Sequence, residues 1–378
     1  MTTYKERISC ESCGHTKFNI IYDFGEIPLA GSFPLHEEIN NIKSYPLKIV
    51  KCKSCELVQT NTLIPPETLF KDYRYISSVG MQKHFNNFAD WLVKTQNLTP
   101  MHKVLEFGCN DGPLLEALKY RGIHRTIGID PATNIVKLGR KKNLDIINNF
   151  FNYKFAKSEE WEENFDLILA SNTFAHIEDI NSVIKGVNYS LKPEGKFIFE
   201  VQYLVDLVDK FQFDFMYHEH LFYYTINSLQ KLLSKHHLKI IDVKKVPIHS
   251  GSIRVVATKN TLEPKKEIVD SLIEIEKDYK ELNEFSSKIS LALNNLSAQL
   301  GLIKEMNKKV AGYGASGRAN VISSTMKWDT NDLMYIIDES PERYNRYTSN
   351  GKIPIYPPEY LESDPPDYIL ILAWNFAD

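Results

Sequence analysis

Val104-Leu-Glu-Phe-Gly108-Cys-Asn-Asp-Gly112, followed by Leu114-Leu-Glu-Ala-Leu118, is a short apolar run, a glycine turn and the opening of a helix. A brief apolar run bounded by turn residues reads as a buried strand, and the leucine spacing after it reads as a helix. Gly108 and Gly112 let the backbone turn sharply and pass close to a ligand. Eighteen positions after Gly112, the next strand candidate, Thr126-Ile-Gly-Ile-Asp130, ends on a carboxylate. In doubly wound folds an acidic residue at the tip of the second strand accepts the hydroxyls of a ribose.

Outward from that unit, residues 101–260 alternate strands and helices, which predicts a parallel, doubly wound sheet. The further strand candidates are Asp145-Ile-Ile147, Phe165-Asp-Leu-Ile-Leu-Ala170, Gly195-Lys-Phe-Ile-Phe-Glu200, Lys239-Ile-Ile-Asp-Val243 and Ser252-Ile-Arg-Val-Val-Ala257. Residues 66–100 read as a connector with one helix, carrying Phe85, Phe88, Trp91 and Leu92 at helical spacing. Residues 261–378 begin with apolar positions recurring every three or four residues from Ile268 to Met306. That predicts one long amphipathic helix, or two broken near Ser286-Ser287, serving as a packing strut rather than a coiled-coil dimer. A second α/β unit follows: strand Lys309-Val-Ala-Gly-Tyr313, a glycine turn, a helix, strand Leu333-Met-Tyr-Ile-Ile-Asp338 and a last strand, Tyr368-Ile-Leu-Ile-Leu-Ala373.

Residues 1–65 carry four of the five cysteines as two CxxC pairs, Cys10/Cys13 and Cys52/Cys55, with 38 residues between them. In a reducing compartment such spacing suits a tetrahedral zinc site, with a redox dithiol as the competing use. Four thiolates fill the coordination sphere, so the expected role is structural. Gly14 permits the tight turn after the first pair. Cys109 stands apart, in the glycine loop.

The chain has 378 residues and a formal net charge of −3, which does not give the basic field of a nucleic-acid binder. At 43% hydrophobic it can bury a sizeable core. No apolar stretch is long enough to span a membrane, and Met1-Thr-Thr-Tyr-Lys-Glu-Arg7 lacks the apolar core of a signal peptide. The expected setting is cytoplasmic.

The glycine loop reads E-x-G-x-N-D-G rather than G-x-G-x-x-G. It aims less helix N-terminus at a pyrophosphate and suits an adenosine carrying an amino-acid sulfonium. With Asp130 and the strand Phe165-Asp-Leu-Ile-Leu-Ala-Ser-Asn172, it resembles the S-adenosylmethionine-dependent methyltransferases. A nicotinamide-binding Rossmann domain is the competing reading. After the fifth strand comes Phe213-Asp-Phe-Met-Tyr-His-Glu-His220, dense in titratable groups and placed where open α/β sheets bind ligands. Two histidines flank a glutamate, and a histidine hydrogen-bonded by a carboxylate is poised near neutral pH as a general base; buried, satisfied hydrogen-bonders or a second metal site are the competing readings.

Zinc knuckles, methyltransferase core, Tyr217-His-Glu-His220 and the C-terminal unit opening Val310-Ala-Gly-Tyr-Gly-Ala315 together resemble the sugar C-methyltransferases. Supporting stretches are Leu29-Ala-Gly-Ser-Phe33, Asp72-Tyr-Arg-Tyr75, Asn172-Thr-Phe-Ala-His176-Ile-Glu-Asp179 and His249-Ser-Gly-Ser252-Ile-Arg254. Those enzymes methylate nucleotide-linked keto-deoxysugars. The resemblance implies that His220 is the general base, helped by Tyr217, Glu219 and His176, with Tyr75 or Tyr73 reaching the site. It places S-adenosylmethionine on Glu106, Gly108, Asn110, Asp111, Gly112, Asp130 and Asn172. It assigns substrate contacts to His249, Ser252, Arg254 and Tyr313. Arg318, on Gly312-Tyr-Gly-Ala-Ser-Gly-Arg-Ala319, departs from the family's Gly-Tyr-Gly-Ala-Pro-Ala-Lys-Gly and reads as a substrate-phosphate contact or as part of a purely structural turn. It implies a monomer or weak homo-oligomer, and further chain beyond Trp374-Asn375. The alternatives are O- or N-methylation of a sugar, or an adaptor that keeps the fold without catalysis.

Overall fold

The computed structural model describes residues 4–70, 76–249, 251–277, 279 and 281–374. Tyr73 and Tyr75 lie outside the described residues.

The N-terminal sheet is built from β1 (Phe18–Pro28), β2 (Ser44–Cys52) and β3 (Val58–Thr60), all antiparallel. Its fourth strand is Phe222–Tyr223, which follows the Tyr217-His-Glu-His220 motif and pairs with Val58 and Gln59. The motif is therefore fastened directly to the cysteine-bearing domain. Helix α1 (Ser78–Thr95) then buries Phe85, Phe88 and Leu92 against the central domain.

The central domain alternates as the sequence predicts. It runs β4 (Val104–Phe107), α2 (Pro113–Tyr120), β5 (Thr126–Ile129), α3 (Thr133–Lys141), β6 (Ile146–Ile147), β7 (Phe165–Ser171), α4 (Ile180–Ser190) and β8 (Leu191–Gln202). It closes with α5 (Ile226–Ser234), β9 (Lys239–Val246) and β10 (Ser252–Thr258). All four residues of β4 are buried, the mark of a strand covered on both faces. Pro113 opens α2, where its missing N–H costs nothing. The Asp179 and Thr225 side chains cap α4 and α5 by accepting main-chain N–H bonds. The strand order is β9-β10-β8-β7-β4-β5-β6, with β4 to β8 parallel and β10 antiparallel to both its neighbours. The order reverses at β4, so a ligand crevice opens between the ends of β4 and β7.

The C-terminal region starts with two helices, α6 (Glu267–Lys277) and α7 (Glu281–Glu305). The interruption lies around Tyr279, not at Ser286-Ser287, which sit inside α7. The Ser287 hydroxyl donates back to the Glu284 carbonyl of the preceding turn at 2.8 Å. On α6, Val269 and Leu272 are buried, while Ile268 and Ile275 of the expected apolar stripe are exposed. On α7, Leu282, Phe285, Ile289, Leu293 and Leu300 join one core with β1, β2 and the last domain. That domain holds β11 (Val310–Tyr313), α8 (Gly317–Thr325), β12 (Ile336–Ile337), β13 (Arg346–Tyr347), β14 (Pro354–Tyr356) and β15 (Tyr368–Ile371). Its sheet order is β13-β14-β12-β11-β15. The molecule is thus a small cysteine-bearing domain and two Rossmann-like α/β units. Among the described residues no helix is long and apolar enough to cross a membrane.

Candidate active site

The four cysteines converge. Sγ of Cys10 lies 3.4 Å from that of Cys55, and Sγ of Cys13 lies 3.6 Å from that of Cys52. All four sulfurs fall within 4.8 Å of one another. Zinc–sulfur bonds of ~2.3 Å on a tetrahedron need sulfurs roughly 3.8 Å apart. The donor set therefore fits a structural zinc ion held by four thiolates.

The crevice between β4 and β7 is shaped by the glycine turn. Gly108 adopts φ +64°, and a Cβ there would fall 2.1 Å from Cγ2 of Thr173, on the loop after β7. Thr173 Oγ1 donates to the Gly108 carbonyl at 3.1 Å, closing the floor of the crevice. Asp130 is buried at the end of β5. One oxygen accepts the Asn110 N–H and the other the Ala132 N–H, both at 2.9 Å. A carboxylate has about four acceptor positions, so these two bonds do not exhaust it. Burial raises the Asp130 carboxyl above its usual range, against the pull of those donors. Asn110 and Asp111 accept the main-chain N–H groups of Ser77 and Ser78, tying the start of α1 to the glycine loop. Asp111 also holds Lys142 at 2.8 Å.

Glu106 lies fully inside. Its Oε1 accepts the Ser171 hydroxyl at 3.2 Å, while buried Oε2 has no hydrogen-bond partner among the described residues. Burial pushes this carboxyl up to about 8, opposed by Ser171 and reinforced by Asp130 and Glu200. A buried acceptor of this kind asks for a donor or cation, and the ammonium of a bound amino acid supplies one. Asn172, at φ +54°, fixes the following turn by donating its N–H to the Glu200 carbonyl. The crevice fits S-adenosylmethionine.

The second cluster stands beside this crevice. His220 is buried, and its Nδ1 lies 2.7 Å from the Phe215 carbonyl, which assigns the hydrogen to Nδ1 and leaves Nε2 as the basic nitrogen. Its ring packs against Phe215, stacked at 4.2 Å, and against Tyr217 at 4.0 Å. His176 turns Nδ1 onto the Glu219 carbonyl at 2.6 Å. Burial lowers His220 well below the usual histidine range, and His176, His249 and Arg318 lower it further. His176 is lowered by burial as well. The Glu219 carboxyl accepts the Gly31 N–H at 3.0 Å, and burial raises it. Tyr217, Glu219, His220 and His176 therefore form one group.

The remaining residues named from the sequence scatter. His249, half-buried, is lowered to about 4 by desolvation, with its ring 6.1 Å from Phe215. Ser252 donates its hydroxyl to the Ile248 carbonyl. Arg254 gives Nε and Nη2 to Glu200 and lies 3.6 Å above the Phe88 ring. Tyr313 donates to Glu339 at 2.7 Å at the end of β11. Arg318 pairs with Asp214 at 2.7 Å. His218, between Tyr217 and Glu219, faces away: it is wholly buried against Tyr45 and donates to the Pro46 carbonyl. Sequence reasoning missed His84, whose Nε2 lies 2.8 Å from Glu200, and Asp214. Asp214 stands inside the motif that was singled out; His84 carried no local signal.

Comparison with known proteins settles the family. Residues 10–70 match a putative zinc binding domain, 81–243 a methyltransferase domain, and 247–378 the C-methyltransferase C-terminal domain. The C-methyltransferase NovU of Streptomyces niveus is 31% identical over 381 residues, covering 97% of this chain and 90% of its own. The chain belongs to the C-methyltransferase family. A ubiquinone biosynthesis O-methyltransferase of Bradyrhizobium diazoefficiens is 29% identical over 123 residues, covering 32% of this chain and 46% of its own. The crystal structure of magnesium protoporphyrin IX methyltransferase from Synechocystis PCC 6803 with bound SAH aligns at TM-score 0.39 and 16% identity. It covers 48% of this chain and 84% of that one. This methyltransferase is dependent on S-adenosylmethionine and carries a four-cysteine zinc-binding domain.

Proposed function

We propose that this methyltransferase transfers a methyl group to carbon, beside the ketone of a nucleotide-linked keto-sugar. The observation that carries the reading is His220: a neutral imidazole, buried, with Nδ1–H on the Phe215 carbonyl and Nε2 left basic. Carbon acids need such a base, since no lone pair waits on the acceptor atom. The near-complete relationship to a C-methyltransferase supports the same conclusion.

In this reading Nε2 of His220 removes the proton next to the ketone, and the charge passes to the ketone oxygen as an enolate. Tyr217, packed against the same imidazole, is the donor that stabilises that oxygen, because the Nδ1–H of His176 is already held by the Glu219 carbonyl. Bound in the crevice, S-adenosylmethionine supplies an electrophilic sulfonium methyl. Glu106 receives the ammonium, Asp130 the ribose, and the turn Gly108 to Gly112, with Asn110, Asp111 and Asn172, shapes the rest. His249 lines the sugar side. Ser252 and Arg254 support the wall behind it through Ile248 and Glu200. The C-terminal turn bearing Tyr313 and Arg318 faces the nucleotide half of the substrate.

Incubation of a keto-sugar nucleotide with the protein in heavy water tests the reading. Deuterium enters the carbon beside the ketone in wild type and fails to enter with His220→Asn. Methylation of a hydroxyl or amine without carbon exchange overturns the proposal. So does binding of S-adenosylmethionine with no sugar turnover across a panel of keto-sugar nucleotides.

A further inference from the structure

Asp214 lies on the short turn Phe213–Phe215 and is completely buried. Both its oxygens are taken by the C-terminal domain. Oδ1 accepts from Nη2 of Arg318 at 2.7 Å, and Oδ2 accepts from Nε1 of Trp374 at 2.9 Å. The Arg318 guanidinium lies 4.7 Å from the Trp374 ring centroid and 5.9 Å from that of Phe215.

The next residue is the one that defines the base. Phe215 supplies the carbonyl that holds Nδ1–H of His220, and its ring stacks on that imidazole at 27°. Two restraints on His220, its tautomer and its ring plane, thus come from one residue. The neighbour of that residue is anchored across a domain boundary. A buried ion pair adds little stability over an apolar filling of the same shape; its best attested use is to specify one arrangement over others. The pair here joins α8 to the base-bearing segment, where arrangement matters most.

We infer that Asp214, held by Arg318 and Trp374, is a positioning residue that fixes the tautomer and direction of His220 through Phe215. The inference rests on His220 being the base. It makes the C-terminal domain part of the catalytic geometry as well as a wall of the site. Small misplacements of a catalytic group cost large factors in rate, while ground-state affinity changes little.

The test uses the full zinc-loaded chain and the variants Asp214→Asn and Trp374→Phe. Steady-state kinetics with a keto-sugar nucleotide give kcat and KM separately. Nitrogen-15 spectra of histidine-labelled protein without substrate report the His220 tautomer, assigned by comparison with His220→Gln. Asp214→Asn is expected to lower kcat about 10- to 100-fold with KM within about twofold, and to turn the single Nδ1–H signature into a mixture. Trp374→Phe keeps a ring over Arg318, removes one hydrogen bond, and moves both readouts less in the same direction. It carries the test if Asp214→Asn does not fold. An unchanged tautomer and kcat in folded variants overturns the inference, as does a fall in kcat with the tautomer intact. If wild type turns over no keto-sugar nucleotide, the substrate reading fails, while the spectra still decide whether Asp214 positions His220.

Discussion

The rings of His176 and His220 lie 4.9 Å apart, and each turns Nδ1 toward a main-chain carbonyl, of Glu219 and Phe215 respectively. Neither ring is therefore free to rotate, and the proposed base, His220, is oriented before any substrate arrives. Replacing His220 by alanine should lower kcat by about 10²- to 10⁴-fold, the usual contribution of a general base. Binding of S-adenosylmethionine, measured by calorimetry, should be unchanged, because the glycine crevice lies on other residues.

Burial and the neighbouring His176, His249 and Arg318 hold His220 well below the ordinary histidine range. A base with a lowered pKa stays deprotonated to lower pH. The acid limb of kcat/KM should therefore fall below pH 6.5, with no loss of rate between pH 8 and 7 from this group. A pH–rate profile of wild type checks this; an inflection above 7 assigned to His220 would contradict it.

Gly108 occupies the left-handed region against Thr173. Gly108→Ala would cost about 1–2 kcal/mol in backbone strain alone and would drive its Cβ into the Thr173 side chain. The affinity for S-adenosylmethionine should fall at least about tenfold, an effect of 1.4 kcal/mol or more. Adding Thr173→Ala removes Cγ2 and Oγ1, which the new Cβ would meet at 2.1 and 2.3 Å, and should recover part of the loss.

His218 is buried neutral and lowered to about 4, mainly by burial. The unfolded chain binds a proton near 6.5 that the native chain refuses until about pH 4. This group therefore contributes stability above pH 6.5, and that stability is lost as pH falls toward 4, by roughly 3 kcal/mol in all. Thermal unfolding from pH 7 to 4.5 should show a steeper loss of Tm in wild type than in His218→Asn, measured with both proteins equally loaded with zinc.

Cys10, Cys52 and Cys55 are buried in the same cluster as Leu221 and Phe222, which follow the base. Metal analysis should find one zinc per chain. Removing it with a strong chelator should lower Tm and abolish activity together, since Pro46 and Gly31 of that domain hold His218 and Glu219. Activity that survives complete zinc removal would separate the two.

The central sheet was legible because its strands are continuous apolar runs buried on both faces, and its glycine turns leave a signature at fixed offsets. The cysteine spacing spoke for itself in the same way. Within Tyr217-His-Glu-His220, however, two histidines of equal chemistry part company. His218 enters the N-terminal domain and His220 the site, a choice made by the turn of the backbone between them. The glycine-rich turn at Arg318 gives no local sign that its side chain meets a carboxylate 104 positions earlier in the chain. Glu219 finds its partner in Gly31, 188 positions away. Such pairings depend on how whole domains dock, and no local pattern announces them.

The loop around Gly31 has a bearing on engineering. Its amide holds Glu219, while the carbonyls of Ala30 and Ser32 on either side accept from Asn320 of the last domain. Because those two acceptors are main-chain groups, a chimera that trades its C-terminal domain for a cousin's should keep an asparagine at position 320 for the loop to seat.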